Sequence, residues 1–304
     1  MKIFITGGSG YLGNVLAEKL LSKFTIIIGS QKKIVSQKKN KKIIYKRVNY
    51  KSLGSLKKNF KGTDAVIHLV GMNKVECEKI KVKSLIFKEK VTSNILNACK
   101  YNNVKKLIYL SSSQVYKSFQ KISINEKSTV DKKTFYSKGH LLAEKKILGG
   151  TVTNYTIIRA SNIFGFTEVK KKGEQKKNLV HMLCEEGAKR KIIKVQNPNI
   201  IKNFLPISTL ANNIKLILRG NKFDQKIINL GSESITLYEL ALKIQRRFKI
   251  NKGNKIRILI NKKLKTKNSK HKYKSLIKKI TNSSKTFNTE IDNIINLLTK
   301  KITQ

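Results

Sequence analysis

Three residues in two short segments have the side-chain types and spacing to move a proton during an oxidation or reduction. Ser112 lies near the end of the run KKLIYLSSS, and Tyr136 and His140 are four positions apart in TFYSKGHLLAEKKIL. A tyrosine can give a proton to a carbonyl oxygen, or take one from an alcohol, while a hydride moves to or from the adjacent carbon. A serine hydroxyl can hold that same oxygen. Ser112 and Tyr136 therefore predict an oxidoreductase site if the fold brings them together.

The surrounding sequence alternates between strand and helix patterns, which indicates how these residues are positioned. Apolar runs predict six strands, at residues 3–6, 24–30, 41–50, 64–71, 105–113 and 155–165. Strands that are almost continuously apolar are typical of a parallel sheet covered on both faces. We therefore predict an α/β protein with a Rossmann-like, doubly wound parallel sheet. Such sheets bind ligands at the carboxyl ends of their strands, which is where Ser112 falls.

The segment TGGSGYLG, residues 6–13, lies between the first strand and the first helix and predicts a phosphate-binding turn. Its first glycine permits a tight turn, its second lets backbone N–H groups approach a pyrophosphate, and its third allows close packing of the helix. The N-terminus of the following helix adds hydrogen-bond donors and a partial positive charge. We predict a dinucleotide cofactor bound by Gly7, Gly10, Tyr11, Leu12 and Gly13.

The end of the second predicted strand selects between the two nicotinamide dinucleotides. An acidic residue there would accept hydrogen bonds from the adenosine ribose and favour NAD. This chain has GSQKK at residues 29–33 instead. The Ser30 hydroxyl could bond a 2′-phosphate, and Lys32 or Lys33 could neutralise it. We predict a preference for NADP(H), with NAD(H) as the alternative.

The second half of the chain has a looser pattern. We predict an NAD(P)-binding domain at residues 1–165 and a smaller α/β substrate-binding region at residues 166–304. A helix after the strand near residue 205 is expected to begin with Ser208 or Thr209 as its N-cap. Another is expected to begin at Thr236, with Glu239 completing a capping box. The Lys- and Asn-rich segment 251–284 is expected to be poorly ordered in part.

Seven segments resemble the motifs of one family. TGGSGYLG resembles its glycine motif, and YSKGHLLAE resembles its YxxSKxxAE helix. Five further segments match in the same order: DAVIHLVG to the fourth strand, YLSSSQVY to the serine strand, IIRASNIFG to LRxxNxxG, KNFLPISTLA to RDFxxVxDxA, and INLGSESITLYELA to the late NxGxxxxxxxxELA segment. The family is the extended short-chain dehydrogenases/reductases, which contains nucleotide-sugar 4-epimerases, 4,6-dehydratases and 4-ketoreductases. The resemblance extends to about residue 244.

The resemblance implies roles for residues beyond the catalytic pair of Ser112 and Tyr136. It implies cofactor contacts at Leu69, after the fourth strand, and at Asn49, where the family has an aspartate that touches the adenine. It implies substrate contacts at Asn162 and at Lys202, where the family has an arginine that grips the phosphate of a nucleotide sugar. It also implies a homodimer, since paired helices in this family often make dimers.

Three departures from the family pattern bear on activity. Lys88 stands where the family has an asparagine, and Asn203 follows Lys202 where the family has an aspartate. His140 stands where the family has a lysine that binds the nicotinamide ribose and lowers the pKa of the tyrosine. An imidazole can donate to the ribose but is largely neutral near pH 7. We therefore expect retained cofactor binding and a Tyr136 that ionises less readily.

The composition limits the alternatives. A net charge of +49 invites a nucleic-acid-binding function, but lysine is spread over the whole chain together with Asn and Ile, as in an A/T-rich coding sequence. No nucleic-acid-binding motif, signal peptide or membrane span is recognisable, so we expect a cytoplasmic protein with no specific nucleic-acid partner. The three cysteines lack CxxC spacing and are expected to be reduced, and His181 and His271 have no partner at ligand spacing, so no metal is expected.

Three functional hypotheses remain open. The first is an NAD(P)-dependent epimerase or ketoreductase that acts on a nucleotide-activated sugar or another small carbonyl compound. A dehydratase is less expected, because Ser113 and Gln114 stand where those enzymes carry an Asp-Glu pair. The second is a catalytically impaired dinucleotide-binding protein with a sensing or partner role. The third is a basic nucleic-acid binder, which the composition allows and the motifs do not support.

Overall fold

The computed structural model describes residues 1–32, 43–117, 123–150, 152, 154–165, 178–261, 272–277 and 284–300. Its helices are α1 Tyr11–Leu20, α2 Leu53–Phe60, α3 Lys74–Ile80, α4 Val82–Tyr101, α5 Phe135–Leu148, α6 Leu179–Arg190, α7 Ile207–Arg219, α8 Leu237–Lys252 and α9 Ser284–Lys300. Its strands are β1 Lys2–Thr6, β2 Thr25–Ser30, β3 Ile43–Arg47, β4 Ala65–His68, β5 Lys106–Ser112, β6 Ser123–Ile124, β7 Tyr155–Ala160, β8 Asn162–Phe164, β9 Ile192–Val195, β10 Ile201–Pro206, β11 Lys226–Leu230, β12 Glu233–Thr236, β13 Arg257–Ile260 and β14 Lys272–Tyr273.

The central sheet has seven strands in the order β11-β7-β5-β4-β1-β2-β3. The pairs from β7 through β5, β4, β1 and β2 to β3 are all parallel. The chain builds outward from β1 to β3 and then returns to build from β4 to β11. The order therefore reverses between β1 and β4, which is the position where doubly wound sheets bind ligands. The predicted Rossmann-like α/β fold is confirmed.

The chain forms two compact units that do not divide at a single position. The first unit comprises residues 1–117, 128–160 and 213–229, and the second comprises 118–127, 161–212 and 230–304. Residues 213–229 belong to the first unit because β11 pairs with β7 at the edge of the central sheet. The core of the first unit is formed by apolar side chains of the sheet packed against α2, α4 and α5.

A buried ion pair fixes α5 to the central sheet. The Arg159 guanidinium on β7 donates from Nε and Nη2 to the two carboxylate oxygens of Glu144 on α5, at 3.1 and 2.6 Å. Ser111 and Tyr116 complete the network, since Ser111 donates to Glu144 and Arg159 donates to the Tyr116 oxygen. A bidentate, fully hydrogen-bonded pair of this kind restricts the position and rotation of α5. That helix carries Tyr136 and His140.

The second unit has its own core, in which α6, α8 and α9 pack against β9 and β10. Strands β8, β10 and β12 form a three-stranded sheet, and β9 pairs with β13. The predicted cap at Thr236 is present: its hydroxyl accepts from the Glu239 N–H, and the Glu239 carboxylate accepts from the Thr236 N–H. None of the helices within the described residues is long and apolar enough to cross a membrane.

Two sequence-based expectations are corrected. Residues 155–165 form two strands, β7 and β8, because the Ser161 N–H between them donates to the Leu230 carbonyl. Neither Ser208 nor Thr209 caps α7, which begins at Ile207; the Ser208 hydroxyl contacts Glu290 instead. Within the segment 251–284, Arg257–Ile260 and Lys272–Tyr273 form the short strands β13 and β14; residues 262–271 and 278–283 lie outside the described residues, and partial disorder of the segment stays a prediction.

Candidate functional site

The glycine turn between β1 and α1 has the geometry of a phosphate cradle. Gly7 has a φ of +65°, which side chains rarely tolerate, and a Cβ on it would lie 2.9 Å from the Val70 Cα. The Gly10 N–H donates to the Gly7 carbonyl at 3.0 Å and closes the turn. Gly10 then stands at the N-cap of α1, where it has no side chain to occupy the free N–H groups of the helix. Those donors suit a diphosphate.

Gly13 allows α1 to lie directly on the glycine turn. A Cβ at this position would lie 2.4 Å from the Gly8 Cα and 2.6 Å from its carbonyl oxygen. Gly8 in turn packs under Ile28 of β2 and donates its N–H to the Gly29 carbonyl. The third glycine is therefore required for backbone-to-backbone contact, and the turn fits a dinucleotide diphosphate. Tyr11 and Leu12 are the first two residues of α1, and both are half-buried.

We expect Gly13→Ala to weaken dinucleotide binding about 100-fold, because the Gly8 backbone must move and distort the cradle. Binding can be followed by the fluorescence of NADH or NADPH. Gly54→Ala is the matched control, since Gly54 is exposed on α2 and its added Cβ would have no neighbour nearer than 4.0 Å. Equal affinities of Gly13→Ala and the parent protein would contradict the assignment of the turn.

The reversal point of the sheet is organised by Thr6 at the end of β1. Its hydroxyl accepts the Leu69 N–H at 3.1 Å and lies 3.2 Å from His68 Nδ1. His68 is fully buried, and its Nε2 lies 3.5 Å from the Thr92 hydroxyl. Burial lowers the pKa of His68 well below its usual range, with a contribution from the charge of Lys88. His68 is therefore a neutral core residue, and it contacts the Thr6 hydroxyl that accepts the Leu69 N–H.

The residues predicted to contact the adenosine part of the cofactor lie at the carboxyl ends of β2 and β3. The Ser30 hydroxyl is buried, donates to the Ser9 hydroxyl at 2.8 Å and accepts the Lys32 N–H at 3.2 Å. Asn49 is exposed beyond β3, where its side chain accepts the Lys51 N–H. Lys33 lies outside the described residues. The hydrogen bond to Ser9 thus joins Ser30 to the glycine turn.

Sequence reasoning overlooked Arg47, the last residue of β3. Its Cα is paired in register with that of Ser30, so the two side chains extend from the same face of the sheet. Arg47 is exposed, whereas Ser30 is buried against the glycine turn. A guanidinium at this edge is suited to a phosphate group. The signal was present in the sequence only as one basic residue among 66.

The structure brings Ser112 and Tyr136 together. Ser112 ends β5, and its hydroxyl accepts the Gln114 N–H at 3.2 Å. Burial raises the pKa of the Tyr136 phenol, and a hydrogen bond from the Ser112 side chain offsets part of that increase. A capping box between Thr134 and Ser137 begins α5 immediately before Tyr136 and fixes the first turn of the helix. The arrangement can hold one oxygen between a serine and a tyrosine.

His140 lies one helical turn beyond Tyr136, and the two rings meet edge to face with centroids 4.6 Å apart. His140 Nδ1 lies 2.8 Å from the Tyr109 hydroxyl of β5. Burial lowers the pKa of His140 well below its usual range, and the charge of Lys88 lowers it further. The imidazole is therefore neutral, and a Tyr109 phenol that donates to Nδ1 leaves the ring hydrogen on Nε2. Tyr109 was not identified from the sequence.

Lys88 of α4 is buried beside Tyr109 and His140. Its Nζ donates to the Val70 carbonyl at 3.3 Å and lies 5.5 Å from the centre of the Tyr109 ring. Burial lowers the pKa of Lys88 to about 8. Lys88, Tyr136 and His140 line one small cavity between α3, α4 and α5, together with Met72, Cys77, Ser84, Phe87, Phe135 and Gly139. The sequence marks Lys88 as a departure from the family but does not predict this environment.

The two residues predicted to bind substrate lie in the second unit. Asn162 on β8 donates from its amide to the Asn203 carbonyl on β10 at 2.7 Å. Lys202 on β10 is half-buried and pairs in register with Ile235. The Asn203 side chain is buried, donates to Ser234 and accepts the Ser232 N–H. These contacts organise the sheet of the second unit, and the substrate role of Asn162 and Lys202 stays a prediction.

Comparison with known proteins finds a matching family profile, a curated relative and solved structures of the same fold. The sequence profile described as "NAD dependent epimerase/dehydratase family" matches residues 3–231. The dTDP-D-glucose 4,6-dehydratase of Dictyostelium discoideum is 28% identical in an alignment over 273 residues that covers 80% of this chain but only 61% of that relative's length. The UDP-N-acetylglucosamine 4-epimerase from Bacillus cereus superposes with a TM-score of 0.77 at 22% identity, over 98% of this chain and 96% of that one. MoeE5 in complex with UDP-glucose and NAD gives 0.75 at 14% identity, over the full length of both chains.

Proposed function

This chain belongs to the NAD-dependent epimerase/dehydratase family, and we propose that it is an NAD(P)-dependent epimerase or ketoreductase acting on a nucleotide-activated sugar. The observation that carries the proposal is the meeting of Ser112 and Tyr136 at the carboxyl end of β5. The glycine turn and the uncapped start of α1 lie in the same unit and fit a dinucleotide diphosphate. The nicotinamide would accept and return a hydride when bound.

Residues of the chain would transfer the proton and hold the substrate oxygen. Tyr136 would take the proton from a sugar hydroxyl as it is oxidised and return it when the carbonyl is reduced, and the Ser112 hydroxyl would hold that oxygen by hydrogen bonding. His140 Nε2–H would donate to a hydroxyl of the cofactor ribose, as a neutral imidazole can. The buried hydrogen bonds between Arg159 and Glu144 of α5 hold that helix, and with it Tyr136 and His140, in position.

A nucleotide sugar is the substrate class that the relatives support. The solved structures include a UDP-N-acetylglucosamine 4-epimerase and a complex with UDP-glucose. Lys202 is proposed to contact the nucleotide phosphate and Asn162 the sugar side of the substrate. Among the reactions, epimerisation and net reduction of a keto-sugar remain favoured over dehydration, because Ser113 and Gln114 provide no acid next to Ser112. A homodimer stays a prediction.

NADP(H) is proposed as the preferred cofactor, with NAD(H) as the alternative, and Arg47 is the residue that supports it. No acid stands at the end of β2, and the buried Ser30 hydroxyl is already bonded to Ser9. The exposed Arg47 is paired with Ser30 on the neighbouring strand and provides a planar cation suited to a 2′-phosphate. The family profile and the MoeE5 complex name NAD, so this preference has to be measured.

We expect Arg47→Gln to weaken NADPH binding about 10-fold or more and to leave NADH binding within about twofold, because only NADPH carries the phosphate. Paired fluorescence titrations with the two cofactors measure the ratio. Lys58→Gln on the neighbouring helix α2 removes the same charge from another basic position and serves as the control. Parallel loss of both cofactors would show that Arg47 does not read the phosphate.

The activity is tested with purified protein, a panel of UDP- and dTDP-hexoses, and their 4-keto derivatives, with each cofactor in turn. Proton NMR of the anomeric signals detects a C4 epimer, and absorbance at about 340 nm detects net consumption of reduced cofactor. Conversion of at least one nucleotide sugar, abolished in Ser112→Ala, supports the proposal. Saturable cofactor binding without turnover on any of them would support the second candidate, a dinucleotide-binding protein, which the histidine at position 140 favours.

A further inference from the structure

Two residues that differ from the family pattern lie close together, although they belong to different helices. His140 of α5 stands where the family has a lysine, and Lys88 of α4 stands where the family has an asparagine. The structure packs these two positions together: a Cβ on Gly139, the neighbour of His140, would lie 3.9 Å from the Lys88 Cγ. Both side chains line the cavity that also contains Tyr136. A positive charge has been lost on one helix and gained on the facing one.

We propose that Lys88 is the cation of this site, supplying from α4 the positive charge that the family places at position 140 of α5. Lys88 is a positioning residue in this proposal. Its positive charge acts on Tyr136 across the cavity that both side chains line, and the same charge keeps His140 neutral. The inference deepens the proposed function and rests on it for its catalytic meaning, whereas the sharing of one cation site by the two positions can be tested without turnover.

The surroundings of Lys88 support this role. Its side chain is 9% exposed, and its ammonium group meets a carbonyl oxygen and the face of the Tyr109 ring. The facing titratable groups come from α3, β4, β5 and α5, and they are Cys77, His68, Tyr109, Tyr136 and His140. The Glu78 carboxylate of α3 also lies near, where it accepts the Tyr136 backbone N–H at 3.2 Å, but within the described residues Lys88 forms no ion pair with it or with another carboxylate. The charge is therefore not neutralised by an ion pair and remains available to a developing phenolate.

The same contacts explain why His140 replaces lysine. A second ammonium group at position 140 would share a buried cavity with Lys88, and two like charges there would repel each other strongly. A neutral imidazole removes that conflict and keeps one hydrogen-bond donor. Its Nδ1 is occupied by Tyr109. The two substitutions are complementary: lysine at both positions is expected to destabilise the fold, and a cation at neither position is expected to lower activity.

The decisive experiment is a double-mutant cycle between Lys88→Asn and His140→Lys, with thermal unfolding of the full chain as the first readout. We expect His140→Lys alone to lower Tm by roughly 6–10 °C and the double variant to recover most of that loss. Failure of His140→Lys to fold, with a folded double variant, has the same meaning. Additive shifts in Tm would overturn the proposal, because independent positions do not share a cation site. Lys90→Asn, exposed on the same helix, is the control.

Turnover provides the second readout. We expect Lys88→Asn to lower kcat about 100-fold and the exchanged double variant to regain at least 10-fold of it. Lys88→Arg should retain activity, and its rate should stay high above pH 8, where the parent loses its lysine charge. A pH–rate profile of Lys88→Arg identical to that of the parent would overturn the proposal. If the parent converts no nucleotide sugar, the proposed function has failed, and the unfolding cycle still decides whether Lys88 and position 140 share a cation site.

Discussion

Replacement of Tyr136 by phenylalanine is expected to lower kcat by about 10²–10⁴-fold, because it removes the proton donor and acceptor while preserving the ring. The Tyr136 ring packs edge to face on His140, and phenylalanine keeps that contact. Cofactor affinity should therefore change by less than about twofold. The comparison requires kcat from the sugar-nucleotide assay and Kd from cofactor fluorescence on the same preparations.

Tyr101→Phe provides the matched control for this variant. Tyr101 is 64% exposed at the end of α4, so loss of its hydroxyl should leave both kcat and Kd unchanged. Turnover of Tyr136→Phe within about threefold of the parent would exclude Tyr136 as the acid and base. A large loss of cofactor affinity in Tyr136→Phe would mean that the phenol serves mainly in binding.

Replacement of Lys88 by methionine is expected to stabilise the protein by about 3 kcal/mol at pH 7 and by little at pH 10.5. Burial lowers the pKa of Lys88 from 10.5 to about 8, so the folded protein carries a costly buried charge below pH 8. Between about pH 8 and 10.5 the unfolded chain binds more protons at this residue than the folded one, and the stability of the parent rises with pH. Above both pKa values the penalty is absent. Chemical unfolding at several pH values measures the difference between parent and variant.

Lys90→Met is the control for this pH series, because Lys90 is exposed on α4. The net charge of +49 makes the stability of every variant depend on pH, and the control removes that common trend. A difference between Lys88→Met and the parent that stays constant from pH 7 to 10.5 would show that Lys88 is not a buried cation. The expected pattern combines greater stability with lower activity, as is common for residues retained for function.

The sequence predicts elements best where local signals are strong. Helix α5, which the resemblance to YxxSKxxAE implies, has strong local signals, because Thr134 provides a cap and the apolar stripe of LLAEKKIL is continuous. Helix α3 was missed, since KVECEKI is short and mostly polar and is defined by the capping box of Asn73 and Glu76. The break between β7 and β8 could not be read from YTIIRASNIFG. It depends on a hydrogen bond from Ser161 to Leu230, 69 residues away along the chain.

The site shows the same division between local and distant information. The conformations of Gly7 and Gly13 agree with their spacing, because a turn followed by a helix is a local structure. The environment of Lys88 could not be predicted, because it depends on the packing of α4 against β5 and α5. The burial of Ser30 against Ser9 likewise depends on the register of two strands with the glycine turn. The catalytic and binding roles, and the cytoplasmic location, stay predictions.

The most direct test of a working dinucleotide site is an equilibrium titration of the purified protein with NADPH and NADH at about 50 and 300 mM salt. A basic chain binds any polyanion weakly at low salt, and such binding weakens steeply as salt is added. We predict saturable binding at one site per chain, tighter for NADPH, retained at the higher salt and lost in Gly13→Ala. Binding of neither cofactor at the higher salt, or equal binding by Gly13→Ala and the parent, would contradict the proposed function.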